Sequence, residues 1–280
     1  MQQKVVLITG ASSGIGRALA FAFGRAGARI VICARNKTAL DTVAGELRQA
    51  GIETLAVVAD VSVDADMYRF VNEAIARFGQ INILINNAGI TMRALVSEAE
   101  PEVYRKVMDV NFMGTVQATR HALPHILKTK GSIVGISSIA GFRGLPVRSG
   151  YSASKFAMNG FLEALRTELL PTGVHVLTAC PGFTTSNIRV AALDAQGSST
   201  GETVRDESRM MSAEACADHI LRAVVSRKRE LILTGQGKLT VWLNKLFPAL
   251  TDRLVYQTLA KEKDSPLANP FVNTIRSTPG

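Results

Sequence analysis

A tyrosine and a lysine stand four residues apart in 148-RSGYSASKFAMNG-160. On a helix that spacing puts Tyr151 and Lys155 on one face, a turn apart, where the ammonium can hold the phenol in its deprotonated or its proton-donating form. A free tyrosine has a pKa of about 10 and is a poor base near neutral pH, so a nearby cation lowers the cost of the phenolate. Taken alone, the pair also fits a solvated helix face. Its meaning depends on what the rest of the chain supplies.

A second chemical feature is 9-TGASSGIG-16. Glycines at 10, 14 and 16 let the chain turn tightly, let its backbone approach a pyrophosphate, and let the following helix pack closely on the preceding strand; the helix N-terminus then offers its unpaired N–H groups to phosphate. The alternative is an ordinary Gly-rich turn, and the strand–turn–helix context argues against it. The spacing is G-x-x-x-G-x-G rather than G-x-G-x-x-G.

Elements must position these residues, and the chain supplies them in alternation. Short β-branched runs at Val5–Thr9, Ile30–Ala34, Thr54–Ala59, Ile81–Asn86, Ser132–Ser137, Val174–Cys180 and Leu231–Thr234 contain no internal proline. They read as strands buried on both faces. Helical patterns fall between them near 15–26, 38–50, 63–78, 101–128, 152–170 and 213–227, with Ser62 and Ser212 as expected caps. The alternation implies right-handed crossovers and an α/β fold, a doubly wound parallel sheet of about seven strands with helices on both sides. The polar stretch within Thr184–Met211 is too long for an ordinary connection and reads as a disordered insertion or a mobile lid.

Composition bounds the class. The chain has 280 residues, 47% hydrophobic and 20% charged, enough for one large core, so a single domain over residues 1–237 and a helical extension over 238–280 are expected. Cys33, Cys180 and Cys216 lack CxxC or Cys/His spacing and read as buried thiols of a reducing compartment, with no metal site. A cytoplasmic location is the expectation. The formal charge of +9 is scattered and carries no nucleic-acid motif, so an anionic small ligand is the more economical partner.

Six motifs in order, TGASSGIG, 86-NNAG-89, Asn111 in DVNFMG, Ser138 in ISS, 151-YSASK-155 and 181-PG-182, resemble the short-chain dehydrogenase/reductase family, whose fold is Rossmann-type, over about residues 4–235. The tail and PGFTTSNIR also look like the subgroup that includes membrane-anchored members. The resemblance implies that Tyr151 exchanges a proton with the substrate oxygen while hydride moves to or from a nicotinamide. It makes Lys155 the tuner of Tyr151 and a ribose ligand, Ser138 the donor that holds the carbonyl or alcohol oxygen, and Asn111 the holder of a relay water. Gly10, Ser12, Ser13, Gly14, Ile15 and Gly16 would cradle the pyrophosphate, Asp60 and Val61 the adenine, and Asn87, Ala88 and Gly89 the nucleotide floor. Pro181, Gly182 and Thr184 would also bind the cofactor.

Cofactor choice rests on 30-IVICARN-36. NAD enzymes of this architecture usually place Asp or Glu at this strand end to accept from the ribose 2′-OH. Here Arg35 can pair with a 2′-phosphate instead, which puts NADP(H) ahead of NAD(H), although Ser13 stands where relatives often carry a base. The expected substrate is a small, apolar carbonyl or alcohol, walled by 139-IAGFRGLP-146 and the loop containing Phe183; Arg143 and Arg148 read as anion selectors or as solvated loop residues. The expected activity is an NADP(H)-dependent oxidoreductase, with a nucleotide sensor or a peripheral membrane protein as alternatives. Homodimers or homotetramers are common in the family. Leu239, Trp242, Leu243, Leu246, Leu250 and Leu254 form an apolar stripe over 238–261, with Pro248 opening a second helix. Packing on protein is expected to cover it, in preference to a membrane surface, because Asp252, Glu262 and Asp264 dilute a lipid-binding face.

Overall fold

The computed structural model describes residues 1–182, 184, 188, 191–201, 210–262 and 264–268. Seven strands form one parallel sheet: β1 (Val5–Thr9), β2 (Arg29–Ala34), β3 (Thr54–Val58), β4 (Ile83–Asn86), β5 (Ser132–Ile136), β6 (His175–Cys180) and β7 (Glu230–Ile232), in the order β3-β2-β1-β4-β5-β6-β7. Strand alternation sends Val6 and Ile8 to one face and Val5 and Leu7 to the other, and both faces are buried. One face is covered by α1 (Gly14–Arg25), α2 (Lys37–Gln49) and α7 (Ala213–Val225), the other by α3 (Asp64–Phe78), α5 (Gly114–Thr129) and α6 (Ser149–Glu168). The winding reverses between β1 and β4, which leaves a crevice beyond their carboxyl ends.

Local departures have local causes. The pattern over 101–128 is continuous in sequence but is built as α4 (Pro101–Met108), a π-helical turn at Asp109–Met113, and α5. The extra residue in that turn carries Asn111 inward. Ser212 caps α7 by accepting from the Ala215 amide at 3.1 Å, but Ser62 caps nothing. Its hydroxyl donates to Asp60 Oδ1 at 2.7 Å, and α3 starts after Val63.

The long connection before α7 is partly anchored. Leu193 is buried, its amide donates to Thr91 O at 2.9 Å and its carbonyl accepts from Arg93 N at 2.8 Å. The stretch around Leu193 is therefore hydrogen-bonded to the segment after β4. Thr184 and Met211 bridge the ends of the connection. Residues 202–209 and Phe183, on which the expectations of a lid and a pocket wall also fell, lie outside the described residues.

The extension forms α8 (Gly235–Leu246) and α9 (Pro248–Ala260), with Pro248 opening the second helix as expected. Among the described residues the stripe is left largely uncovered. Trp242 is 55% exposed, and Leu239, Leu246, Leu250 and Leu254 are exposed with it, because the helices turn other residues, Val241, Thr251 and Leu259, toward the body. No helix among the described residues is long and apolar enough to cross a membrane.

Candidate active site

The Gly-rich turn follows β1 directly, with Gly10 and Gly14 at φ of 65° and 52°, the left-handed region open to glycine. A Cβ on Gly16 would stand 2.3 Å from Gly10 O and 2.5 Å from Asn87 Nδ2. The turn is thus pressed against both itself and the end of β4. Ser13 makes no side-chain cap, so the first amides of α1 are left for another acceptor.

A hydrogen-bond knot fixes this turn to β4. Thr9 Oγ1 accepts from the amides of Asn87 and Ala88, each at 3.0 Å, and Asn87 Nδ2 donates to Thr9 O and Gly10 O at 2.9 and 3.0 Å. Asn86, one residue earlier, is buried and donates to Thr119 Oγ1 at 3.0 Å, which makes it a brace of the strand. Thr9 sits in the motif without having been assigned a role; its signal is its place as the last strand residue, where its hydroxyl faces the neighbouring strand end.

These residues open onto a cavity of about 790 Å³. Its lining contains Gly10, Ser12, Ser13, Gly14, Ile15, Gly16, Arg35, Asp60, Val61, Asn87, Ala88, Gly89, Ser138, Tyr151, Lys155, Pro181, Gly182 and Thr184. Every cofactor-binding and catalytic candidate except Asn111 is therefore brought to one place, while of the expected wall 139–146 only Leu145 lines the cavity. Arg35 lies at the rim, 3.9 Å from the Asp60 carboxylate. Asn36, next along, is spent on capping α2 through the Ala39 amide at 3.0 Å.

Helix α6 delivers the opening pair. Lys155 is buried and donates from Nζ to Ile136 O at 2.9 Å, with Nζ 5.8 Å from the centre of the Tyr151 ring. Burial lowers the Lys155 pKa from its usual 10.5 to about 8, a nearby Cys180 sulfur opposing this slightly. Ser138, at the end of β5, accepts from the Ala140 amide at 3.1 Å while its hydroxyl faces the cavity. That contact caps the short turn Ile139–Gly141 and leaves the O–H free to rotate toward a ligand. Behind it, Ser137 donates to Asn159 Oδ1 at 2.6 Å and Asn159 donates to Gly141 O at 2.9 Å, locking the strand end to α6.

Asn111 sits behind the wall. Its amide nitrogen donates to Ile90 O at 2.9 Å and to Ser154 Oγ at 2.8 Å, and its Oδ1 accepts from Ile90 N at 2.8 Å. Both donor hydrogens are used, and the residue ties the segment after β4 to the helix that bears Tyr151. Neither Arg143 nor Arg148 is a solvated loop residue. Arg143 pairs with Asp252 and donates to Asn244 Oδ1 at 2.9 Å, and Arg148 pairs with Glu262 at 3.3 Å. The sequence reading missed these partners, which stand more than a hundred residues away. Among the described residues no cluster of three His, Cys, Asp or Glu is placed to hold a metal, and the three cysteines are buried free thiols.

A parallel sheet with a glycine turn at its reversal point and a tyrosine, lysine and serine on the same cavity defines a class of nucleotide-dependent oxidoreductases. The short chain dehydrogenase model matches residues 4–197, and the chain belongs to that family. It is 36% identical over 273 residues to the Bos taurus dehydrogenase/reductase SDR family member 7B, covering 95% of this chain and 84% of that one. It is 39% identical over 249 residues to the 11-beta-hydroxysteroid dehydrogenase-like 4A of Arabidopsis thaliana, covering 88% and 82%. Among solved structures, a short chain dehydrogenase/reductase from Burkholderia phymatum in complex with NAD matches at a TM-score of 0.80 and 27% identity, over 89% of this chain and 95% of that one. An alcohol dehydrogenase from Thermococcus sibiricus complexed with 5-hydroxy-NADP matches at 0.71 and 25%, over 83% and 96%. The chain is an oxidoreductase enzyme of the dehydrogenase/reductase type.

Proposed function

We propose that the protein interconverts a small, mainly apolar ketone or aldehyde and its alcohol with NADP(H). The observation that carries this reading is the convergence of Ser138, Tyr151 and Lys155 on the cavity that the Gly-rich turn also lines. The fit to a dinucleotide is supported by uncapped α1 amides, by a turn so close to Asn87 that a Cβ at Gly16 would clash, and by the Arg35 guanidinium at the rim. When bound, a dihydronicotinamide supplies a hydride to a carbonyl carbon, and its oxidised form takes one from an alcohol.

The chain's own residues handle the oxygen. In reduction, Ser138 Oγ donates to the carbonyl oxygen and orients it. Tyr151 gives that oxygen a proton as the C=O π pair moves onto it, so the phenol ends as phenolate beside the Lys155 ammonium. In oxidation the same phenolate takes the hydroxyl proton. Lys155 would also hold a ribose hydroxyl, and Asn111, its side chain spent on Ile90 and Ser154, keeps α6 in register with the segment after β4.

For the cofactor, Arg35 supports NADP(H): a carboxylate at this strand end would repel a 2′-phosphate, whereas Arg35, which follows β2 directly and lines the cavity, can pair with one. Asp60 competes for that guanidinium at 3.9 Å, a distance long enough for it to rotate away. The buried free thiols support a reducing, cytoplasmic setting, and the exposed stripe on α8 and α9 supports assembly with a second copy. The test is a panel of ketones and alcohols with each of the four nicotinamide nucleotides, following absorbance of the reduced form. Arg35→Asp should then shift the NADPH-to-NADH affinity ratio by about tenfold, or roughly 1.4 kcal/mol; an unchanged ratio removes Arg35 from the site.

A further inference from the structure

We infer that Glu262 is a positioning residue for the substrate half of the site, and that the end of the C-terminal extension works as a strap on the loop that leads into α6. The inference rests on the oxidoreductase reading above. Four observations meet at one loop, residues 139–148, which runs from Ser138 to the helix that presents Tyr151.

The first is backbone strain. Val147 is at φ 59°, a conformation that a β-branched residue avoids because its Cβ crowds the adjoining carbonyl. Such a conformation persists where the surroundings impose it. The second is what imposes it: Val147 is buried in a small apolar cluster with Leu259 and Leu267, both from the C-terminal extension. The main chain is fixed as well, since Val147 O accepts from Ala94 N at 2.9 Å.

The third is the next residue. Arg148 lines the cavity and its Nη2 donates to Glu262 Oε2 at 3.3 Å; the two side chains are only 12% and 5% exposed. Breaking a shielded pair of this kind costs both groups a contact made away from water, so the pair helps to hold the loop in place. The fourth is the segment around Glu262: the Glu262 amide donates to Leu259 O, and Arg93, two residues past the lining residue Thr91, donates to Asp264 O at 2.9 Å. The extension therefore touches both the loop before α6 and the segment after β4. Moving Arg148 or Val147 moves Leu145, another lining residue, whose amide is bound to Ser152 Oγ one residue beyond Tyr151.

The consequence is specific: loosening the strap should impair substrate binding and leave the dinucleotide alone. The experiment uses the full chain and the variants Glu262→Gln, Glu262→Asp and Leu259→Ala. Hydrogen exchange of amides 143–152 should speed up several-fold in Glu262→Gln and Leu259→Ala, with the amides of β1 and α1 unchanged. On the best carbonyl substrate from the panel, KM should rise at least about fivefold in Glu262→Gln, and Glu262→Asp should restore part of it. The NADPH dissociation constant, read by fluorescence, should stay within about twofold. Unchanged exchange in the loop in both variants overturns the strap, and so does an equal loss of NADPH affinity, which would mark a general structural role. A parent protein that binds NADPH but reduces nothing in the panel sinks the proposed activity instead, and the exchange data still decide the strap.

Discussion

The two ends of the cavity are built by different means. At the nucleotide end, backbone groups do most of the holding: Thr9 Oγ1 takes two amides, Asn87 reaches two carbonyls, and glycines allow the approach. At the substrate end, charged side chains and apolar contacts from the C-terminal extension do it, through Arg143, Arg148 and Val147. The first design tolerates little change and serves a ligand of constant shape. The second can vary by surface substitution, as a site for one substrate among many requires.

The sharpest way to separate the two ends is to change the chemistry at their junction. Tyr151→Phe removes a proton and little shape, so turnover should fall by roughly 10²- to 10⁴-fold while NADPH affinity stays within about twofold. Lys155→Ala should damage both. Steady-state rates beside a fluorescence titration decide it; a Phe variant that works at the parental rate ends the proposed proton transfer.

Next in size is a test of the nucleotide end by itself. Gly16→Ala puts a methyl group 2.3 Å from a carbonyl oxygen and 2.9 Å from the Ala11 Cα, neither of which can swing aside. Overpacking of that kind costs about 1–3 kcal/mol and should weaken NADPH by at least about tenfold. The contrast is Gly160→Ala on exposed α6, where nothing lies within 4 Å of the added Cβ. There the helix should gain about 0.5–1 kcal/mol. Equal melting temperatures and equal affinities for the two variants would break the picture of a tightly closed turn.

This division also governs what could be read from the chain. The seven strands lie within one or two residues of their sequence boundaries, because period-2 and period-3.6 patterns are local. Glycine turn, Tyr151 and Lys155 are legible for the same reason, and topology then brings Asn87 beside Gly10, since β4 pairs with β1. Arg143 and Asp252 are 109 residues apart, and Arg148 and Glu262 are 114 apart. Nothing local marks either pair. Glu262 looked like an acid that dilutes an outer face, yet it turns inward onto Arg148, whereas Asp252 pairs with Arg143 and stays 64% exposed. The π-helical turn was invisible for a related reason, as one inserted residue leaves the helical pattern over 101–128 almost intact.

A pH experiment probes the junction from the side of charge. Lys155 has a folded pKa near 8 against 10.5 when solvated, because burial disfavours the ammonium. Between those values the unfolded chain binds more protons than the folded one, so this residue makes stability rise with pH through that window. In urea melts, the stability of the parent relative to Lys155→Met should increase by about 2 kcal/mol from pH 7.5 to 9.5; the buried cysteines, whose pKa values burial raises to about 12, titrate alike in both and cancel. NADPH affinity should move the other way and fall above pH 8, as the ammonium that would hold the ribose is lost. A relative stability that stays flat over this range would mean that Lys155 keeps its proton in the free protein.

The smallest expected effect on the chain itself belongs to the outer face of the extension, and there the comparison turns on assembly. Trp242, Leu246, Phe247 and Leu250 are about half exposed in the single chain, so Trp242→Ser removes few buried contacts and should change monomer stability by no more than about 0.5 kcal/mol. Exposed large apolar side chains clustered on two helices mark a contact surface. With Glu262 turned inward and Asp252 paired to Arg143, the charges around it include the exposed bases Lys238, Lys245 and Arg253. A second copy would cover the aromatic and leucine side chains and leave those bases at a wet rim. The mass of the parent in analytical ultracentrifugation should then exceed that of the chain, and Trp242→Ser should reduce it without lowering the dilute-limit melting temperature. An unchanged mass would exclude this face as a subunit contact. Loss of binding to anionic vesicles in the same variant would then assign it to a lipid surface, for which the three exposed bases supply the charge.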